Sequence, residues 1–205
     1  MSHYSQEHIL AALDRYLTDF PLPDELWIFA YGSLLWNPEM SVVESRKAEL
    51  NGFQRGFNLL STVHRGTDDD PGLVLSLRAG GHCEGVALKI SKATQAQDFK
   101  HLWLREMVTM FYQPHECVVD TPEGAIKAIT FVADPEHEQF VDFDAEKCAT
   151  MIHKAKGGRG RNIDYFINTS QLLKKLDIHD PLFSDIEAHL PASALPKGEF
   201  FLTEK

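Results

Sequence analysis

Trp27-Ile28-Phe29-Ala30-Tyr31 runs directly into Gly32-Ser33-Leu34. The first five residues form an apolar run of strand length, the pattern of a strand buried on both faces. Working outward, residues 5–20 carry Ile9, Leu10, Leu13, Tyr16 and Leu17 on one stripe and predict an amphipathic helix, ended by Pro21 and Pro23. Downstream, strands are expected at 48–54, 57–62, 72–77, 85–90, 116–120 and 125–133, with Thr121-Pro122-Glu123-Gly124 as a hairpin turn. One helix interrupts them, from Lys92 to about Val108, with Ser91 as its N-cap. Helices at 144–155, 163–176 and 181–190 close the chain, and neither a repeat nor a linker-like shift in composition divides it. The expected architecture is a single α+β domain over residues 1–205, with an N-terminal helical extension at 1–23 and a mainly antiparallel or mixed sheet.

The 205 residues are 43% hydrophobic and 24% charged. That balance belongs to an ordinary globular protein and excludes collagenous, disordered and coiled-coil chains. Thirty acidic residues against 20 basic ones give a net charge of −10. A nucleic-acid partner is therefore not expected, because such binding draws on clustered Lys and Arg. No apolar run approaches the roughly 18–20 residues of a membrane span. Residues 1–6 lack the basic and apolar regions of a signal peptide. Cys83, Cys117 and Cys148 are odd in number and widely spaced. Neither a disulfide framework nor a zinc set is expected, and a reducing cytoplasm is the simplest home.

Four stretches can carry chemistry. Gly32 permits a sharp turn and close approach of a ligand, and successive amides there can converge on a carboxylate or a developing oxyanion. Ser33 adds a hydroxyl donor, and the alternative is an ordinary tight turn. On the central helix, Glu106 lies seven, four and three residues after Phe99, Leu102 and Trp103, which places its carboxylate on the apolar face. A carboxyl group desolvated in that way shifts its proton affinity toward neutral pH and can act as an acid and base. Arg105 is adjacent but points about 100° away on a helix, so it need not neutralise Glu106. The alternatives are a helix that frays before Glu106, or a glutamate satisfied structurally by a buried Arg or Tyr.

In the third stretch, Arg65 offers a fork for a carboxylate, and His64 offers a base or ligand. Asp68-Asp69-Asp70 reads as a solvated turn, since its spacing does not match a calcium loop. The fourth, Gly157-Gly158-Arg159-Gly160-Arg161-Asn162, resembles a phosphate cradle but lacks the ending of a Walker loop and follows a helix. It is expected to be a polar loop capping the next helix. There is no G-x-S-x-G elbow and no H-E-x-x-H pair. His115 and Cys117 can share a strand face, with Glu116 on the other, which alone does not make a thiolate site.

Taken together, WIFAYGSLLWNP, STVHRGTDDDPGLVLSL, EGVALKI, LWLREM and GGRGRN resemble the ChaC family of γ-glutamylcyclotransferases, in order and spacing, from about Trp27 to Phe166. The resemblance implies a mixed, barrel-like sheet surrounded by helices. It implies an enzyme that converts glutathione to 5-oxoproline and cysteinylglycine without metal or cofactor. The family's loop for the γ-glutamyl part maps onto Tyr31, Gly32, Ser33 and Leu34, and its catalytic glutamate onto Glu106. Arg65 and Tyr112 are further candidates for the peptide portion. Ala30 stands where the family commonly has glycine. Alternatives are other γ-glutamyl peptides or amines as substrates, or a non-catalytic cation-transport regulator. Nothing in the sequence sets the oligomeric state.

Overall fold

The computed structural model describes residues 4–195, and at its centre lies β1 (Trp27–Ala30), all four of whose side chains are buried. Residues 1–3 of the expected extension lie outside the described part. Burying Ile28 and Phe29 completely contributes about 1.5–3 kcal/mol each. On one side β1 runs antiparallel to β3 (Gly72–Ile90), pairing Trp27 with Lys89 through Ala30 with Val86. On the other it runs parallel to β5 (Ile126–Ala133), with Ile28 opposite Ile129. Adding β2 (Val42–Ser61) and β4 (Tyr112–Val119) gives a mixed sheet in the order β2-β3-β1-β5-β4. The Thr121 and Gly124 backbones bond each other across the expected turn between β4 and β5.

The described residues hold five helices besides this sheet, which makes the fold α+β. The sheet is not closed into a barrel. Its edge strand β2 reaches the end of β4 at one bridge, where Glu49 and Asp120 exchange N–H···O bonds of 2.9 Å.

Two expectations about the strands need correction. The pairs 48–54 with 57–62 and 72–77 with 85–90 are each one continuous strand, of 20 and 19 residues. Gly52 (φ +87°) lies inside β2, and Gly80 (φ +108°) and Gly81 (φ +63°) inside β3. The strands take up these positive-φ residues without ending.

The described residues form two compact units, 4–54 with 79–135, and 55–78 with 136–195. In the first, α1 (Gln6–Asp19), capped by Ser5, packs on α2 (Gln95–Glu106). Trp103 donates from Nε1 to the Ile9 carbonyl at 3.0 Å, and the Tyr16 ring lies 5.0 Å from that of Trp103. The cap of α2 is Thr94 rather than Ser91, because residues 91–94 first close a turn through Thr94 N–H and the Ser91 carbonyl. The helix ends at Glu106, before the expected Val108.

In the second unit, α3 (Ala145–Lys154) and α5 (Pro181–His189) start on the side-chain caps Asp144 and Asp180. Between them in sequence lies α4 (Asn162–Lys175). Phe57, Phe166 and Phe183 pack with ring centroids 5.2–5.8 Å apart, and the buried Arg55 guanidinium pairs with Asp180.

Candidate active site

The loop that leaves β1 is tied down at each step. Tyr31 is buried and donates its hydroxyl to the Phe131 carbonyl on β5 at 2.9 Å. Residues Ser33–Leu35 then form one 3-10 turn. Its first bond runs from Leu35 N–H to the Gly32 carbonyl at 3.0 Å, and the Ser33 carbonyl accepts from Trp36 and Asn37 at 3.2 and 2.8 Å. The amides of Gly32, Ser33 and Leu34 thus stand ahead of the turn's own hydrogen bonds.

On α2, Phe99, Leu102 and Trp103 are buried, as the spacing predicts. Glu106 follows them as the last helical residue, with its side chain 16% exposed. Met107 closes the helix by donating to the Trp103 carbonyl at 2.9 Å, and Tyr4 N–H reaches the Val108 carbonyl at 3.4 Å. The helix end that presents Glu106 is therefore braced by residues around the start of α1.

Arg105 is where the sequence reading is corrected. Its Nε lies 3.2 Å from Glu106 Oε1, so the two neighbours are ion-paired. The 100° separation describes the Cα–Cβ directions, and the long arginine and glutamate side chains close it at their tips. The same guanidinium donates from Nη2 to Ser33 Oγ at 2.8 Å. From Nη1 it donates to the Asn37 carbonyl at 2.7 Å and to Glu39 Oε2 at 3.0 Å. One side chain thus joins the end of α2 to the loop after β1. The signal for it was present in the adjacency of Arg105 and Glu106, two side chains long enough to meet across that angle.

Tyr112, the first residue of β4, belongs to the same unit; it is buried, with its ring edge-on to Phe111 at 5.0 Å. Arg65 belongs to the other unit. It is 5% exposed, its Nη1 donates to the Arg159 carbonyl, and its guanidinium lies 5.3 Å from the Tyr165 ring centre. Residues 157–162 serve that region in a way the sequence did not suggest. They form the small hairpin β6 (Lys156–Gly157) and β7 (Gly160–Arg161), whose turn adds to the backbone of Val63 and His64 through Gly158 N–H (2.7 Å) and Arg159 N–H (2.9 Å). The N-cap of α4 is Arg161, with no side-chain cap bond. Asn162 instead exchanges side-chain bonds of 2.6 and 2.7 Å with the Leu73 backbone.

Asp70 closes a turn with Thr67 and pairs with Lys154. Among the described residues no group of three or more His, Cys, Asp or Glu side chains could hold a metal ion. Burial pushes the Cys117 thiol up to about 12, which keeps it protonated and unreactive at neutral pH.

The chain matches the family model described as ChaC-like protein over residues 26–192. It is 38% identical to the glutathione-specific gamma-glutamylcyclotransferase of Escherichia coli, over 89% of this chain and 80% of that protein. It is 31% identical to the glutathione-specific gamma-glutamylcyclotransferase 1 of Mus musculus, over 88% of this chain and 86% of that protein. The crystal structure of a yeast gamma-glutamyl cyclotransferase specific to glutathione superposes with a TM-score of 0.72 at 20% identity, covering 81% of this chain and 97% of that one, which shows a shared fold.

Proposed function

The chain belongs to the ChaC-like family, and from that premise we propose that it is a glutathione-specific γ-glutamylcyclotransferase, with one catalytic domain behind an N-terminal helical extension. The observation that supports this reading best is the guanidinium that joins the Glu106 carboxylate to the loop beginning at Tyr31. A base and a substrate loop from separate elements are held together at one point.

In the reaction, the substrate's α-amine attacks its own γ-carbonyl carbon. The amine is protonated at neutral pH and must first lose a proton. Glu106 accepts it, and the new C–N bond closes a five-membered ring through a tetrahedral intermediate. The bond to the cysteinyl nitrogen then breaks while Glu106 returns the proton to that leaving nitrogen, and Glu106 takes the surplus proton of the ring nitrogen, which the released amine carries off as its ammonium. The products are 5-oxoproline and cysteinylglycine, and no water is consumed. The loop at residues 31–34 holds the γ-glutamyl group in near-attack geometry, with Ser33 and the backbone amides as donors. Tyr112, in the same unit as Glu106, and Arg65 are the candidates for holding the peptide portion. Degradation of glutathione in a reducing cytoplasm fits three cysteines that form no disulfide, in a chain where no described helix is long and apolar enough to cross a membrane.

The test is Glu106→Gln, which keeps size and hydrogen bonding but removes the base. Release of 5-oxoproline from glutathione is expected to fall by about 10²–10⁴-fold in a protein that melts like wild type. Near-normal turnover by that variant would overturn the mechanism.

A further inference from the structure

Arg105 is not the base and need not touch substrate, yet its guanidinium meets Glu106, Ser33, Asn37 and Glu39 at once. We propose, resting on the cyclotransferase reading, that Arg105 is a positioning residue. It sets the register between Glu106 and the loop after β1, and it fixes the Ser33 hydroxyl as a hydrogen-bond donor toward the substrate.

Three observations carry this. The partners Ser33, Asn37 and Glu39 lie 72, 68 and 66 residues before Arg105 in the chain, so only the fold brings them to one guanidinium. The Arg105 side chain is only 11% exposed, whereas an ordinary surface ion pair is solvated and contributes little. Glu39 holds a left-handed backbone (φ +51°), a conformation that a non-glycine residue adopts only against a steric penalty. Its two carboxylate oxygens are divided, Oε1 accepting from Asn37 Nδ2 at 3.3 Å and Oε2 from Arg105 at 3.0 Å. The loop is thus folded back onto the arginine at both its start and its end.

The chemistry of the contact fixes its direction. A hydroxyl has one proton and two lone pairs. With Nη2 donating to Ser33 Oγ, the oxygen is an acceptor toward Arg105, and its own O–H is left to donate elsewhere. A lysine cannot reproduce this, because its point charge lacks the planar fork that reaches a carboxylate, a carbonyl and a hydroxyl together.

The experiment measures 5-oxoproline release from glutathione, with kcat, KM and Tm, for wild type, Arg105→Lys, Ser33→Ala and the double variant. Arg105→Lys is expected to lower kcat about 100-fold, as misplacement of a bound substrate by about 1 Å does, with KM changed by less than about threefold. Ser33→Ala alone, which keeps the arginine and trims one contact, is expected to lower kcat about fivefold. In the Arg105→Lys background the same substitution should add less than about twofold, because both act through one bond. The assignment is overturned by wild-type kcat in Arg105→Lys, by a rise in KM at unchanged kcat, or by fully multiplicative effects of the two substitutions. A loss of kcat explained by a matching loss of folded protein also overturns it. A wild-type protein that releases no 5-oxoproline defeats the cyclotransferase reading before any variant is made.

Discussion

Arg105 and Arg65 are both mostly buried arginines beside a glycine-bearing loop, and they use the same fork in opposite ways. Arg105 faces two carboxylates, a hydroxyl and a carbonyl, groups that can bind or move protons. Among its contacts Arg65 meets the Arg159 carbonyl and the ring of Tyr165, a peptide group and an aromatic face. Around Arg65 the backbone is so close that a Cβ on Gly157 would lie 2.5 Å from Gly66 N and 2.6 Å from the His64 carbonyl group. An arginine's attraction to carboxylates is therefore not enough to read its role from sequence. What the fork meets in the fold decides it.

The largest expected effect bears on the Arg65 side. Gly157→Ala forces a methyl group into backbone that has no flexible end to move, and should cost about 3 kcal/mol, seen as a Tm lower by about 6–12 °C. A variant that melts like wild type would break the contrast at once. Arg65→Ala removes a buried charged donor and its contact with Tyr165. Its expected cost is about 2 kcal/mol in urea or thermal unfolding. A raised KM at wild-type Tm would instead move Arg65 to the substrate's side. On the other side, Trp103→Phe deletes the bond to the Ile9 carbonyl and should cost about 1 kcal/mol, with a looser end of α2 read as a lower kcat.

The smallest effect is expected at Tyr16. Its hydroxyl is buried with no hydrogen-bond partner among the described residues, so Tyr16→Phe should be neutral or stabilising by up to about 1 kcal/mol. Burial first, then the charge of Glu116, pushes this phenol up to about 12 from 10.0. Below pH 10 neither the folded nor the unfolded state ionises it, and the stability it contributes is complete. From there up to about pH 12 the unfolded state alone loses the proton, so stability falls as pH rises. Cys117, up to about 12, and Cys148, up to about 11, act in the same sense from their ordinary value of 9.0. Tm measured between pH 8 and 11 should decline for wild type and decline less for Tyr16→Phe.

Periodicity made most elements legible. β1, α1, α3, α4 and α5 stand within a residue or two of where apolar spacing, caps and prolines put them. The long strands were not legible as single strands, because Gly52 and the Gly80-Gly81 pair read as punctuation while the extended ladder continues through them. At the site, the apolar stripe on α2 pointed to Glu106 by local geometry alone. The link through Arg105 depends on a loop some 70 residues earlier, which no local spacing encodes.

The single bridge between Glu49 and Asp120 has a colloidal consequence. A long strand at a sheet's rim is a template on which another chain can lay its own backbone, the first step of aggregation. β2 is such a rim, with Val43 63% exposed. Along its outer part the residues read Glu44, Arg46, Lys47 and Glu49, with Arg46 paired to Glu44 and Lys47 to Glu84. A chain adding there would have to strip solvent from those charges, and at Glu49 it would find the backbone already engaged. That guard at the rim does for solubility what full closure of the sheet would otherwise do.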